Sequence, residues 1–383
     1  MKDKIIAKLN KIMPELLEIN RKLYENPELG YEEFESSKLL IEFLKNQGFK
    51  VEEKYLGIET AFRAEYGPEG GMKIGYLCEY DALPEIGHGC GHNSIAAMGV
   101  GAATSLKECA DDLNLRIVVY GTPAEETSGA KVEMVEKGAF DDLFCAMMCH
   151  PTALMAKSGT SSALEAIQFD FHGQTAHAAA EPHMGRNALE GLIHLFNLTF
   201  SLRARLKKDA NIAGIISEGG LAANIIPEHA QGKFYLRAAK KEYLDFVKEE
   251  VVKCAEAAAL ATGTTFEMKN YEASYQDMRT NKVLSEKFSD NIEYIGLERP
   301  HLTRDMTGSI DMGNVSHRVP SIHPWIGFGD ESLNPHTRAF AAATLSEKGK
   351  DVIYTGSAAM ALTGYDVAMD SELREKILEE FKK

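Results

Sequence analysis

Three short apolar runs, Lys73–Cys78, Arg116–Tyr120 and Phe144–Cys149, each end abruptly in a polar loop punctuated by Gly or Pro. Runs this short with no polar alternation read as strands buried on both faces, and a sheet is buried on both faces only when helices cover it. The stretch Ser94–Cys109 between the first two runs has helical character, so strand and helix alternate. That order predicts an α/β architecture with a mostly parallel sheet. Upstream, Ile5, Leu9, Ile12, Leu16, Ile19 and Leu23 recur at helical spacing, and Glu32–Gln47 does the same before Gly48 stops it.

The middle third changes pattern. Ala163–Phe171 reads as a strand, Asn187–Leu206 as a helix, Ile212–Ser217 and His229–Ala238 as strands, Lys241–Thr262 as a long helix and Thr265–Tyr271 as a closing strand. The order β-α-β-β-α-β is ferredoxin-like and complete in itself. A chain of 383 residues is too long for one ordinary core. The expected organisation is therefore a discontinuous domain, residues 1–162 and 272–383, interrupted by an inserted domain, residues 163–271. The second half of the outer domain is expected to hold a helix at Asn281–Asp290, a late strand at Ser321–Phe328 and a last long helix at Lys350–Thr363.

Charge excludes several partners. Fifty-seven acidic residues against 42 basic give a net charge of -15, which argues against nucleic acid and anionic membrane surfaces. No run approaches the length of a membrane span, and Met1–Leu17 mixes Lys and Glu into its apolar positions, unlike a signal peptide. A cytoplasmic protein is expected. Six cysteines are too few for a disulfide framework in a chain this long, and serve as core fillers, metal ligands or nucleophiles.

Open parallel sheets place their sites at the carboxyl ends of the strands. Polar clusters fall there repeatedly: Glu79 to Pro84 and Gly87 to Asn93 after the first run, Pro123-Ala124-Glu125-Glu126 after the second, His150-Pro151 after the third, and Asn334-Pro335-His336-Thr337 after the late strand. Singly each is weak; jointly they gather a thiol, imidazoles and carboxylates at one sheet edge. That donor set suits zinc, with manganese or cobalt as alternatives, and five donors exceed what one tetrahedral ion uses, so two metals are expected. Two adjacent glutamates divide the labour: a metal-bound carboxylate is pinned, whereas a general base must be free to move a proton. Glu125 is assigned to proton transfer and Glu126 to metal. Two alternatives stay open: a cysteine hydrolase using Cys90 with His92 or His150, and a non-catalytic metal-binding protein.

Asn26-Pro27-Glu28-Leu29-Gly30, Asp81-Ala82-Leu83-Pro84, Cys90-Gly91-His92, Pro123 to Glu126, Gly173 to Ala179, Asn224 to Pro227 and Pro335-His336-Thr337 occur in the order seen in the aminoacylase and carnosinase-like metallopeptidases. Nearly the whole chain resembles that family, on the amidohydrolase branch that includes p-aminobenzoyl-glutamate hydrolase and β-alanyl dipeptidases. The resemblance implies a di-zinc-peptidase-like catalytic domain with a ferredoxin-like lid that dimerises, and two divalent ions per subunit. Carried over by position, it makes Cys90, His92, Glu126, His150 and His336 metal ligands and Glu125 the base. His177 resembles the histidine that reaches across the dimer to steady the oxyanion, and Asn224 and Arg237 sit where family members hold the substrate carboxylate. The implied substrate is a small N-acyl amino acid or dipeptide with a free carboxylate. Cys78-Glu79-Tyr80-Asp81 and Asn93 depart from the Arg-Ala-Asp-x-Asp and Cys-Gly-His-Asp patterns of many members. Outside the motifs, His88 reads as orienting its loop, Asp305–Asp311 as a substrate-pocket loop and Trp325 as packing.

Overall fold

The computed structural model describes residues 1–306 and 308–383. The chain forms two compact units, one built from residues 1–160, 278–306 and 311–383, the other from residues 161–277 with 308–310.

In the first unit a six-stranded sheet runs Lys50–Glu53, Phe62–Tyr66, Leu115–Gly121, Met72–Cys78, Cys145–Met147, Ser321–Ile322. The four strands from Leu115–Gly121 onward are mutually parallel, and the two at the other edge are antiparallel. Met72–Cys78 lies centrally, and its last five residues are buried, as the unbroken apolar run requires. It feeds, through the loop 79–91, the helix His92–Leu106, whose every residue is buried. That helix packs against Lys2–Glu25 and Glu347–Met369. Small residues allow the approach: a Cβ at Gly101 would lie 2.6 Å from Ser357 Oγ and 2.7 Å from Leu16 Cδ1, and one at Gly99 would lie 2.4 Å from Cys78 Sγ.

Several elements differ in detail from the sequence reading. The late strand is two short strands, Ser321–Ile322 and Trp325–Gly327, because Pro324 supplies no N–H to continue a ladder. His150 is not in a loop after its strand; it opens a further strand, His150–Thr152, paired with Trp325–Gly327. The last long helix is followed by another, Ser371–Phe381, capped by Asp370 accepting from Leu373 N at 3.0 Å. The short edge strand Lys50–Glu53 and its neighbour Phe62–Tyr66 carry charged residues and give little hydrophobic signal.

The second unit is a four-stranded antiparallel sheet in the order Thr265–Asn270, Ala163–His172, His229–Ala238, Asn211–Glu218, with the helices Ala188–Arg203 and Lys241–Thr262. Its strand and helix order is β-α-β-β-α-β. Its core includes Ile167, Phe169, Phe171, Leu192, Leu195, Phe234, Leu244 and Val251. Asn211–Glu218 is an edge strand that exposes Ile215 and Ile216. Among the described residues, no helix is long and apolar enough to cross a membrane.

The close seat of the helix that begins with His92 gives a first prediction. Gly101→Val forces a branched side chain against Leu16 and Ser357, and should destabilise the protein by about 1–3 kcal/mol in urea unfolding, as overpacked cores do. An unchanged midpoint would mean the three helices shift freely.

Candidate metal centre

The loop 79–91 and the turn 123–126 converge through one carboxylate. Asp81 Oδ1 accepts from His92 Nδ1 at 2.9 Å, and its Oδ2 accepts from the backbone N–H of Glu126 at 2.9 Å. Asp81 is buried, and its pKa stays below the ordinary carboxylate value: burial works to raise it, and the His92 imidazole and the Glu126 amide outweigh that. With its Nδ1–H spent on Asp81, His92 turns Nε2 into the pocket, where that buried nitrogen has no hydrogen-bond partner among the described residues. A buried, unpartnered imidazole nitrogen is costly unless something occupies its lone pair.

Around it stand the other donors. His92 Nε2 lies 3.5 Å from Glu79 Oε2, 4.0 Å from Glu125 Oε2 and 3.9 Å from Glu126 Oε1. Glu126 Oε1 is 3.3 Å from His336 Nε2, and Cys90 Sγ is 3.4 Å from His150 Nε2. His150 donates through Nδ1 to Pro151 O at 2.7 Å, which leaves Nε2 as an acceptor toward Cys90. Donor atoms within 4.8 Å of one another form three overlapping groups: Cys90, His92 and His150; Cys90, Glu126 and His336; His92, Glu125 and Glu126. All five sequence-expected ligands and Glu125 are thus brought together. A thiol, three imidazoles and carboxylates form a donor set that fits divalent metal, and a metal ion would take up the exposed lone pair of His92.

The backbone here is constrained. Ala124 and His336 adopt φ of 60° and 62°, a region non-glycine residues rarely enter, and such strain persists only where the surroundings impose it. Glu33 imposes it at Ala124: its buried carboxylate accepts from Ala124 N at 2.8 Å and from Thr60 Oγ1 at 2.9 Å. Burial, with the Asp81 charge adding to it, pushes the Glu33 pKa up to about 7. Gly30 is required beside this turn, since a Cβ there would lie 2.3 Å from Thr127 Oγ1 and 3.0 Å from the Ala124 Cα. The motif around Pro27 thus supports the glutamate turn. His336 is tied in by its N–H donating to Gly89 O at 2.8 Å.

Electrostatically the pocket is acidic. Burial, then the charges of Glu79, Asp311 and Glu126, hold the Glu125 pKa well above the ordinary value. Lys131 lies fully buried between Glu79 and Asp311, 2.6 Å from each. Sequence reasoning gave no role to Lys131 or Glu33, and it marked Glu79 and Asp311 only as members of a polar cluster and of a substrate-pocket loop; a lysine in a short helix reads as solvated surface. Of the loop expected at Asp305–Asp311, Thr307 lies outside the described residues, Asp305 is bound by Thr160, and Asp311 serves the Lys131 network.

The remaining expected site residues belong to the second unit. His177 is exposed, and its Nδ1 accepts from Ala179 N and Ala180 N, so its proton sits on Nε2. Asn224 lies beside it, with Asn224 O accepting from Ala178 N at 3.0 Å. Arg237 is elsewhere: it pairs with Leu164, whereas His229, eight residues back on the same strand, pairs with His172 at the His177 end. That separation is about 27 Å at strand rise, and the Arg237 guanidinium rests on the Tyr235 ring.

Comparison with known proteins gives the family. Residues 162–263 match the family model described as peptidase dimerisation domain. Xaa-Arg dipeptidase of Mus musculus is 33% identical over 398 residues, covering 100% of this chain and 92% of the relative. A p-aminobenzoyl-glutamate hydrolase chain of Escherichia coli is 31% identical over 301 residues, 73% of this chain and 62% of that one. A Bacillus subtilis structure described as a dinuclear metal binding peptidase from the M20 family superposes with a TM-score of 0.66 at 19% identity, over 92% of this chain and 99% of the other. The fold and these relatives define a metal-dependent hydrolase of amide bonds. The chain belongs to the M20 family of peptidases, on its amidohydrolase side.

The Lys131 network yields a prediction separate from catalysis. Lys131→Met leaves Glu79 and Asp311 buried without a counter-charge and should cost about 3–5 kcal/mol in urea unfolding. A Lys131→Met, Glu79→Gln, Asp311→Asn triple variant should recover part of that loss; equal destabilisation would show that packing, not charge, is at issue.

Proposed function

We propose that this protein hydrolyses the amide bond of a small N-acyl amino acid or dipeptide bearing a free carboxylate, with two divalent ions held by Cys90, His92, Glu126, His150 and His336. The observation that carries this reading is the set of three overlapping donor groups, with Cys90, His92 and Glu126 each shared by two of them. When bound, such ions polarise the scissile carbonyl and acidify water. Zinc fits the thiol and imidazoles, and manganese or cobalt the carboxylate and imidazole share.

The chain's own residues supply the rest. Asp81 orients His92 and fixes its tautomer, as carboxylates beside metal-binding imidazoles do. Glu125, next to Glu126 on the strained turn, takes a proton from the attacking water and returns it to the leaving amine. His177, protonated at Nε2, donates to the developing oxyanion. Asn224 and Arg237 hold the substrate carboxylate. Their separation on one chain means that they meet a single substrate only when each comes from a different copy.

A homodimer through residues 163–271 meets that need. The exposed edge strand Asn211–Glu218, with Ile215 and Ile216 outward, leaves a ladder of backbone groups for a second copy, and the family model for this region supports it. A cysteine nucleophile would need Cys90 and one imidazole; five converging donors exceed that requirement. The names of the relatives favour a dipeptide or an aminobenzoyl-glutamate type of substrate.

Two outcomes test the roles. Glu125→Gln should abolish turnover while metal content stays near that of the wild type; loss of metal would reverse the assignments of Glu125 and Glu126. Mixing inactive His177→Ala with inactive Glu125→Gln should restore activity once subunits exchange, because one intact site forms from two defective chains. No recovery after demonstrated exchange would place His177 in its own site or outside catalysis.

A further inference from the structure

Beside the ligand cluster lies a cation that pairs with no carboxylate among the described residues. Arg304 ends the short strand Thr303–Arg304, which pairs with Lys157–Ser158. Its guanidinium lies over the Trp325 ring, 4.3 Å from the centroid, and its Nη1 donates to the buried Thr152 Oγ1. Trp325 in turn packs on His150 and His323, each with ring centroids 4.8 Å away. Arg304 is therefore one ring removed from a candidate metal ligand, and it is close enough to Cys90 for the two charges to interact.

Among the described residues, no carboxylate pairs with Arg304. The nearest acid in sequence, Asp305, is committed to Thr160, whose N and Oγ1 both donate to Asp305 Oδ1 at 3.0 Å. Partial burial lowers the Arg304 pKa, and the neighbouring Cys90, the opposing influence, does not offset it. A stacked guanidinium held rigid by an indole and a threonine has its fork of N–H groups set for a planar, two-oxygen anion. The buried cation Lys131, by contrast, is paired with two carboxylates, Glu79 and Asp311.

We propose that Arg304 forms a carboxylate subsite on the metal-binding unit itself, with Trp325 as its floor, and selects substrates carrying an anionic group near the scissile amide. This rests on the amide-hydrolase reading above. It adds a specificity-determining residue to the positions expected in the second unit.

Trp325 is the sole tryptophan of the chain, so its fluorescence reports on this subsite directly. Metal-loaded Glu125→Gln protein, which retains ligand without turning it over, is titrated with N-acetyl-L-alanine and with N-acetyl-L-alaninamide. The carboxylate should bind more tightly than the carboxamide. Adding Arg304→Met should weaken the carboxylate by about 10- to 100-fold, the worth of a hydrogen bond to a charged group, and leave the carboxamide unchanged. Arg304→Lys should recover part of the difference. In otherwise wild-type protein, Arg304→Met should raise KM for acyl amino acids more than it lowers kcat, with metal content and melting temperature unaltered. Equal affinity for the two probes before mutation, or an unchanged carboxylate preference in Arg304→Met, would overturn the proposal. If the wild type hydrolyses no amide while Arg304→Met still abolishes the carboxylate preference, the hydrolase reading falls and the subsite stands.

Discussion

Asp81 is the hinge of this site. One of its oxygens receives the proton of His92 and the other the backbone N–H of Glu126, so a single buried carboxylate joins the loop after the central strand to the turn that carries both glutamates. Each link depends on the fold behind it. Asp81 is held because Met72–Cys78 lies centrally in the sheet, and His92 is held because its helix is buried from end to end. Without Asp81, His92 could take the other tautomer and turn its lone pair away from the pocket.

The pocket concentrates negative charge that folding alone would disfavour. Glu79, Asp81, Glu125, Glu126 and Asp311 lie together, with Lys131 as the cation paired to two of them. Burying an uncompensated carboxylate is expensive, so such a group of acids is an arrangement that bound cations stabilise. Lys131 offsets Glu79 and Asp311 and keeps them engaged, while Glu125 and Glu126 stand about equally far from His92 Nε2, at 4.0 and 3.9 Å. The strain at Ala124 and His336 has the same origin: Glu33 and Gly89 hold these backbones where the donors converge.

Much of this was legible in the residues. Apolar runs ending in Gly- and Pro-punctuated loops marked the parallel strands, because strands buried on both faces cannot alternate. Cys90-x-His92, the adjacent glutamates and His336 fell at strand ends and converge in space. What escaped the reading has common physical causes. Lys50–Glu53, a charged edge strand, and its neighbour Phe62–Tyr66 are only four and five residues long, too short for a clear pattern, and Pro324 split a stretch whose composition reads as one strand. Lys131 and Arg304 carry no local signal, since a buried cation is explained only by partners distant in sequence: Glu79 and Asp311 for the first, Trp325 and Thr152 for the second. Glu33 follows a recognised motif, but its role depends on the φ of a residue 91 positions later.

The central claim is that Cys90 and its neighbours hold two metal ions. X-ray absorption on zinc-loaded protein, with metal counted per protein chain, tests it most directly. Two equivalents are expected, with a zinc–sulfur shell at about 2.3 Å that disappears in Cys90→Ser. Two equivalents with no sulfur shell would remove Cys90 from the ligand set, and a protein that binds no zinc, yet hydrolyses its amide substrate in excess chelator, would contradict the claim as a whole.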